Sequence, residues 1–150
     1  MNQITTKVSI DLSQYAAPVV INATCGDSAR SIEFSFFDHC KTVTLSDNCT
    51  AVFAAKKPDG TCIMHTCSIV ENSVIYHFTA QTCSCPGRSI CQIHLYTSSG
   101  NLLTTPAFFL QVRESIIHAD DKIISESEEN ILKWLVSQVK CINNTLAKYK

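Results

Sequence analysis

The sequence has little of several features that would place it in a familiar class of protein. It has no long apolar run, only four glycines, and a formal net charge of -1 over 150 residues. The first twenty residues have no sustained apolar run, contain polar residues throughout and carry one early lysine, so they predict neither a signal peptide nor a membrane span. We therefore expect a chain that stays in the cytosol. The balanced charge gives no bulk field that would attract nucleic acid or an anionic membrane, and we expect neither as a partner.

Cysteine, in contrast, is abundant, with nine residues in the chain. A secreted domain would use them in disulfides, but the count is odd and no export signal is present, so we predict mostly free thiols. Cys62, His65 and Cys67, together with Cys83 and Cys85, could be imagined as zinc ligands. A usual zinc knuckle has two to four intervening residues on both sides, and the C-x-C pair has only one, so the spacing argues against a zinc site. An intracellular cysteine-rich zinc-binding β module is nevertheless kept as an alternative.

Signs of catalysis are also missing. There is no glycine-rich phosphate loop, and nothing in the sequence pairs a cysteine with a histidine base and a third group that orients it. The five histidines are scattered, and the strand pattern turns His77 and His94 outward, where we expect solvent around both. Asp120 and Asp121 precede a predicted helix, where acidic residues are expected because of the helix dipole. We therefore expect that the chain is not an enzyme and that it binds no cofactor and no metal.

From about residue 7 to residue 112 the chain shows short runs of β-branched and aromatic residues, broken by turn residues. Three of these runs alternate with a period of two and should bury one face. The residues predicted to point inward are Ile32, Phe34 and Phe36, then Val74, Tyr76 and Phe78, then Cys91, Ile93 and Leu95. Pro58-Asp59-Gly60 predicts a hairpin turn, and Pro106 indicates an edge strand or a bulge. Some seven or eight strands suit an Ig-like antiparallel β-sandwich over residues 1–117.

Residues 118–150 have a different character and predict a linker followed by a C-terminal helix. Ser125 and Glu128 form a capping box at its start. Apolar residues then recur at alternating spacings of three and four, which is the heptad pattern of a short coiled coil. These residues are Leu132, Leu135, Val139, Ile142, Leu146 and Tyr149. The stripe predicts self-association, and packing of the helix back onto its own sandwich is the alternative.

Four segments taken together resemble the N-terminal domain of the phage baseplate upper protein family of tailed phages and prophages of Gram-positive bacteria. They are "PVVINATCGDSARSIEFSFFD", "AVFAAKKPDGT", "LLTTPAFFLQV" and "SESEENILKWLVSQVKCINNTL". In order they run from Pro18 to Leu146, and with their flanking residues the resemblance covers about residues 11 to 148. The resemblance implies a β-sandwich that docks on the distal tail hub. It also implies a helix that forms a homotrimer and projects outward to carry receptor-binding proteins or further baseplate parts.

On this basis we expect a structural protein of the virion, located in the tail baseplate and assembled in the cytoplasm of the bacterial host. An Ig-like adhesion or interaction module is a second alternative. In the baseplate protein, the heptad residues would form the trimer core. Burial of each of these side chains contributes roughly 1.5 to 3 kcal/mol before the entropy cost of ordering is subtracted.

Overall fold

The computed structural model describes residues 3–13, 18–117, 130 and 132–139. The described chain is mainly β, with eleven strands and one short helix. The strands are β1 (Ile4–Asp11), β2 (Val20–Thr24), β3 (Arg30–Asp38), β4 (Lys41–Thr42), β5 (Thr50–Lys56), β6 (Cys62–Thr66), β7 (Ser68–Val70), β8 (Ser73–His77), β9 (Gly87–Tyr96), β10 (Leu102–Thr104) and β11 (Phe108–Arg113). The helix α1 comprises residues 130 and 132–139. The capping box at Ser125 and Glu128 lies outside the described residues.

The strands form two mixed sheets. The five-stranded sheet has the order β1-β3-β8-β7, with β4 also paired to β3, and the six-stranded sheet has the order β2-β11-β9-β5-β6, with β10 also paired to β9. The expectation of purely antiparallel sheets is wrong, because β1 runs parallel to β3 and β2 runs parallel to β11. The chain passes from β1 in one sheet to β2 in the other and back to β3. The alternation of apolar residues sets the buried face of a strand but leaves the direction of its neighbour open.

The alternation does predict the core correctly. All nine side chains expected to point inward on β3, on β8 with the residue that follows it, and on β9 are buried. The inward faces of the two sheets meet through aromatic rings. Phe34 of the five-stranded sheet lies 5.2 Å from Phe108 of the six-stranded sheet, and Phe53 stacks on Tyr76 at 3.9 Å between ring centroids. One hydrophobic core is therefore shared by both sheets.

The Pro58-Asp59-Gly60 segment forms the predicted hairpin turn between β5 and β6. The backbone N–H of Lys57 donates to the Thr61 carbonyl, and the N–H of Gly60 donates to the Lys57 carbonyl. The turn packs against the segment before β9, where Lys57 is buried and its Nζ donates to Ser84 Oγ. The Pro58-Asp59-Gly60 segment is thus a structural turn, and it fixes the register of β5 and β6.

Pro106 lies in a break between β10 and β11, both of which pair with β9. Within this break, Thr105 remains bonded to β9, because its side-chain Oγ1 accepts a 3.0 Å hydrogen bond from the Ile93 N–H. The interruption agrees with the bulge expected from a proline that cannot donate. The alternative of an edge strand is wrong for β11, because β2 covers its far side.

Candidate interaction surfaces

The residues considered as zinc ligands or catalytic groups lie in separate environments. Cys62 is exposed on β6, whereas Cys67 and Cys83 are buried in the core. His65 shares a 2.8 Å hydrogen bond with the Tyr76 hydroxyl. No group of three or more His, Cys, Asp or Glu side chains suited to a metal occurs in the part of the chain that the structure describes. The placement of these residues gives no support to the zinc-binding alternative.

The eight cysteines that the structure describes are thiols with very different surroundings. Burial raises the pKa of the Cys67 thiol to about 11 and that of the Cys91 thiol to about 12. Since the thiolate is the reactive form, both groups are poor nucleophiles at neutral pH. Cys40 and Cys62 are exposed and accessible to reagents. Cys141 lies outside the described residues.

The outer side of the six-stranded sheet, here called the six-stranded face, is apolar and basic. Four large hydrophobic side chains are exposed on its outward positions: Val20, Met64, Ile90 and Leu102. Its charged outward residues are Lys56, Arg88 and Arg113. The outward positions of these strands, all of them described, carry no carboxylate. Such a combination of exposed apolar surface and charge of one sign is typical of a surface that binds a partner.

The strand register explains how this surface arises. Lys56 of β5 lies opposite Ile90 of β9 on one side and Cys62 of β6 on the other. Around these positions lies a shallow depression of about 320 Å³. Its lining includes Lys56, Cys62, Met64, Ile90 and His94. Residues from three strands that are distant in sequence therefore form one surface feature.

His94 differs from the expectation of a solvated histidine. Its side chain is on the outward side of β9, but its Nδ1 atom is buried and has no hydrogen-bond partner among the described residues. The expectation that both histidines point outward is confirmed; His77 is exposed to solvent, whereas His94 is half-buried. His94 is flanked by paired strands on both sides, with Val52 of β5 and Thr104 of β10 opposite it.

The outer side of the five-stranded sheet, here called the five-stranded face, is polar. Serine and threonine dominate its outward positions, as in the hydrogen bond of 2.8 Å between Thr5 Oγ1 and Ser31 Oγ. Its charges are mixed, with Lys7 beside Asp11 and Glu33. Val70 is its one exposed large hydrophobic residue on a described outward position. This face has the composition of an ordinary solvated surface.

The structure describes three of the six predicted oligomer-interface residues, and it leaves them accessible. Leu132 is 60% exposed and Val139 is 52% exposed, while Leu135 is half-buried. Val136, which the heptad assignment omits, is also exposed and extends the apolar side of the helix. Ile142, Leu146 and Tyr149 lie outside the described residues. The predicted trimer interface stays a prediction.

A different side of the helix approaches the strands. A Cβ atom built on Gly26, in the turn after β2, would lie 3.7 Å from Ser137 Oγ and 3.9 Å from Gln138 Nε2. Ser137 and Gln138 are thus the helical residues near this turn, and Leu132 and Val139 remain exposed. Leu132 and Val139 of the described stripe are therefore open to another chain, whereas Leu135 is half-buried.

No helix among the described residues combines the length and the apolar character needed to cross a membrane. No protein-family model matches the sequence, and no curated protein matches it. The fold is similar to a solved structure, the N-terminal domain of phage TP901-1 ORF48. The TM-score is 0.58 and the identity is 9%, over 74% of this chain and 99% of that chain. At this identity the likeness establishes a shared fold, and the fold is one that a phage protein uses.

Proposed function

We propose that this chain is a structural component of a phage tail baseplate. The observation that carries the proposal is the shared fold with the N-terminal domain of phage TP901-1 ORF48 over nearly all of that domain. The sequence resemblance to the baseplate upper protein family points to the same kind of particle independently. The location that follows is the virion, at the tail, after assembly in the cytoplasm of the bacterial host.

The surfaces of the molecule support an assembly role. The candidate nucleophiles and ligands are dispersed, with Cys67 and Cys91 buried as protonated thiols and His65 bound to Tyr76. Two apolar surfaces, the six-stranded face and the exposed side of α1, are open in the single chain. A protein that binds neighbours permanently in a particle requires surfaces of this kind.

In the finer form of the proposal, the two sheets form an Ig-like β-sandwich that docks on the distal tail hub. The C-terminal helix forms a short trimeric coiled coil through Leu132, Leu135, Val139, Ile142, Leu146 and Tyr149 and carries receptor-binding proteins or further baseplate parts. The exposure of Leu132 and Val139 supports this arrangement, because a helix packed on its own strands through the stripe would bury them. Fewer than three heptads are only marginally stable alone, so other contacts must add to the trimer.

The solution mass of the full chain under reducing conditions tests the trimer. We expect light scattering to give three times the chain mass for the wild type. A variant with Leu135→Asp and Ile142→Asp should give the mass of one chain, because six carboxylates would enter the trimer core. A control with Ser68→Asp and Ser98→Asp adds the same charge at exposed positions outside the helix and should remain a trimer.

A wild type that stays monomeric at all concentrations would contradict the trimer. So would a control variant that dissociates as readily as the helix variant, since charge alone would then explain the effect. The shared fold would stand in either case, because it does not depend on the oligomeric state.

A further inference from the structure

We propose that the six-stranded face binds a partner protein that presents an apolar ridge flanked by carboxylates. The depression around Ile90 and Met64 would receive the apolar side chain, and Lys56 and Arg88 would face the carboxylates. This inference stands on the face itself and does not require the baseplate role.

The depression on the six-stranded face exposes apolar surface. Met64 is 59% exposed and Ile90 is 50% exposed, and both line the same depression. They come from β6 and β9, on either side of β5, so no single strand explains their exposure. Burial of this surface by a partner would remove it from water, which is the main favourable term in protein association.

The charge on the six-stranded face is complementary to a partner with carboxylates. Lys56, Arg88 and Arg113 face outward on three different strands. None of them forms an ion pair with a carboxylate of the residues that the structure describes. Arg88 is held in place by a 3.2 Å hydrogen bond to Gln111 and by the ring of Phe109, 4.9 Å below its guanidinium. A partner with carboxylates meets a pre-arranged cation here, whereas a second copy docking through the same face would bring like charges together.

Cys62 provides a direct probe of this surface, because it is exposed and lines the depression. Cys40 is also exposed but lies at the turn between β3 and β4, in the other sheet. The rate of modification of Cys62 by the neutral reagent N-ethylmaleimide therefore reports occupancy, and the rate at Cys40 in the same sample is the reference. Mass spectrometry of peptides from the full chain resolves the two sites.

Two synthetic peptides test the predicted chemistry. One has a Leu-Ile-Val-Leu centre with two glutamates at each end, and the other has lysines in place of the glutamates. At a concentration ten times its dissociation constant, the acidic peptide should slow modification of Cys62 by about ten-fold and leave Cys40 unchanged. The basic peptide should protect neither cysteine.

A charge-reversal variant sharpens the test. Lys56→Glu should reduce protection by the acidic peptide and increase protection by the basic one, because Lys56 borders the depression. Lys7→Glu makes the same change on the five-stranded face and should have no effect on either peptide. Equal protection of Cys62 by both peptides, protection of Cys40 along with Cys62, or no protection at all would overturn the proposal.

Discussion

The two outer faces of the molecule rest on the same core and differ in almost everything else. The five-stranded face is rich in serine and threonine, has mixed charges and exposes Val70 as its one large hydrophobic residue on a described outward position. The six-stranded face exposes four such residues on outward positions and has three cations without a carboxylate among them. A fold needs only its inward faces to be apolar. Folding alone does not account for the apolar character of one outer face, whereas the proposed binding of a partner does.

The shared core should be the most sensitive part of the molecule, whichever face is considered. Phe34 is fully buried and contacts Phe108 across the two sheets. Phe34→Ala should lower the free energy of unfolding by about 3 to 5 kcal/mol, because it leaves a cavity between the sheets. Urea denaturation measures the change. Loss of less than about 1 kcal/mol would contradict the packing of the two sheets on one core.

High pH should weaken the core. The unfolded thiols of Cys67 and Cys91 ionise near their ordinary value of 9.0, whereas burial raises their pKa to about 11 and about 12 in the folded chain. The folded state therefore binds more protons between about pH 9 and 11, and its stability falls as the pH rises. Each such proton contributes about 1.4 kcal/mol per pH unit at most.

Denaturation curves at pH 8, 9 and 10 measure this slope. Cys91→Ala should make the slope shallower, although the variant is less stable at every pH. Cys62→Ser, at an exposed position, should leave the slope as it is in the wild type. An unchanged slope in Cys91→Ala would contradict the buried, protonated thiol.

The start of β9, where Gly87 packs against the Pro58 hairpin turn, should tolerate little change. Gly87 has a φ of +120°, and a Cβ atom there would lie 2.7 Å from Cγ of Pro58 in the hairpin turn. Gly87→Ala should therefore destabilise the protein by about 1 to 3 kcal/mol through backbone strain and the clash. Gly100→Ala is the matched control, because it also has a positive φ but nothing within 4 Å of its Cβ. Equal losses in the two variants would assign the effect to backbone strain alone.

Substitutions on the two faces should be nearly silent for stability but should separate in binding. Met64→Ser on the six-stranded face and Val70→Ser on the five-stranded face should each change the free energy of unfolding by less than about 0.5 kcal/mol, since both side chains are already exposed. Only Met64→Ser should weaken binding of the acidic peptide, measured by protection of Cys62. A large stability loss in Met64→Ser would show that the apolar surface serves the fold.

Much of the interior could be predicted from the sequence, because alternation with a period of two carries the information directly. It identifies the inward residues of β3 and β9, and Pro58-Asp59-Gly60 identifies the hairpin turn. The parallel pairing of β1 with β3 could not be predicted, since a strand's own pattern does not encode the direction of its neighbour. That pairing depends on how the chain crosses between the sheets.

The six-stranded face was missed for a related reason. Lys56, Met64 and Ile90 belong to three strands, and each alone is an ordinary exposed residue of its strand. Only the register between β5, β6 and β9 places them around one depression. The burial of His94 Nδ1 likewise depends on neighbours from other strands. The signal in the sequence was the lack of acidic residues on the outward positions of these strands.

The most direct test of the baseplate role is the location of the chain in a phage particle. Gold-labelled antibodies against the chain, applied to particles purified from bacteria that carry its gene, can be viewed by negative-stain electron microscopy. If the chain is a baseplate component, label should appear at the distal end of the tail and should be lost from particles of a strain in which the gene is deleted. Label on the capsid, or particles that contain no trace of the chain although the cells produce it, would contradict the baseplate role.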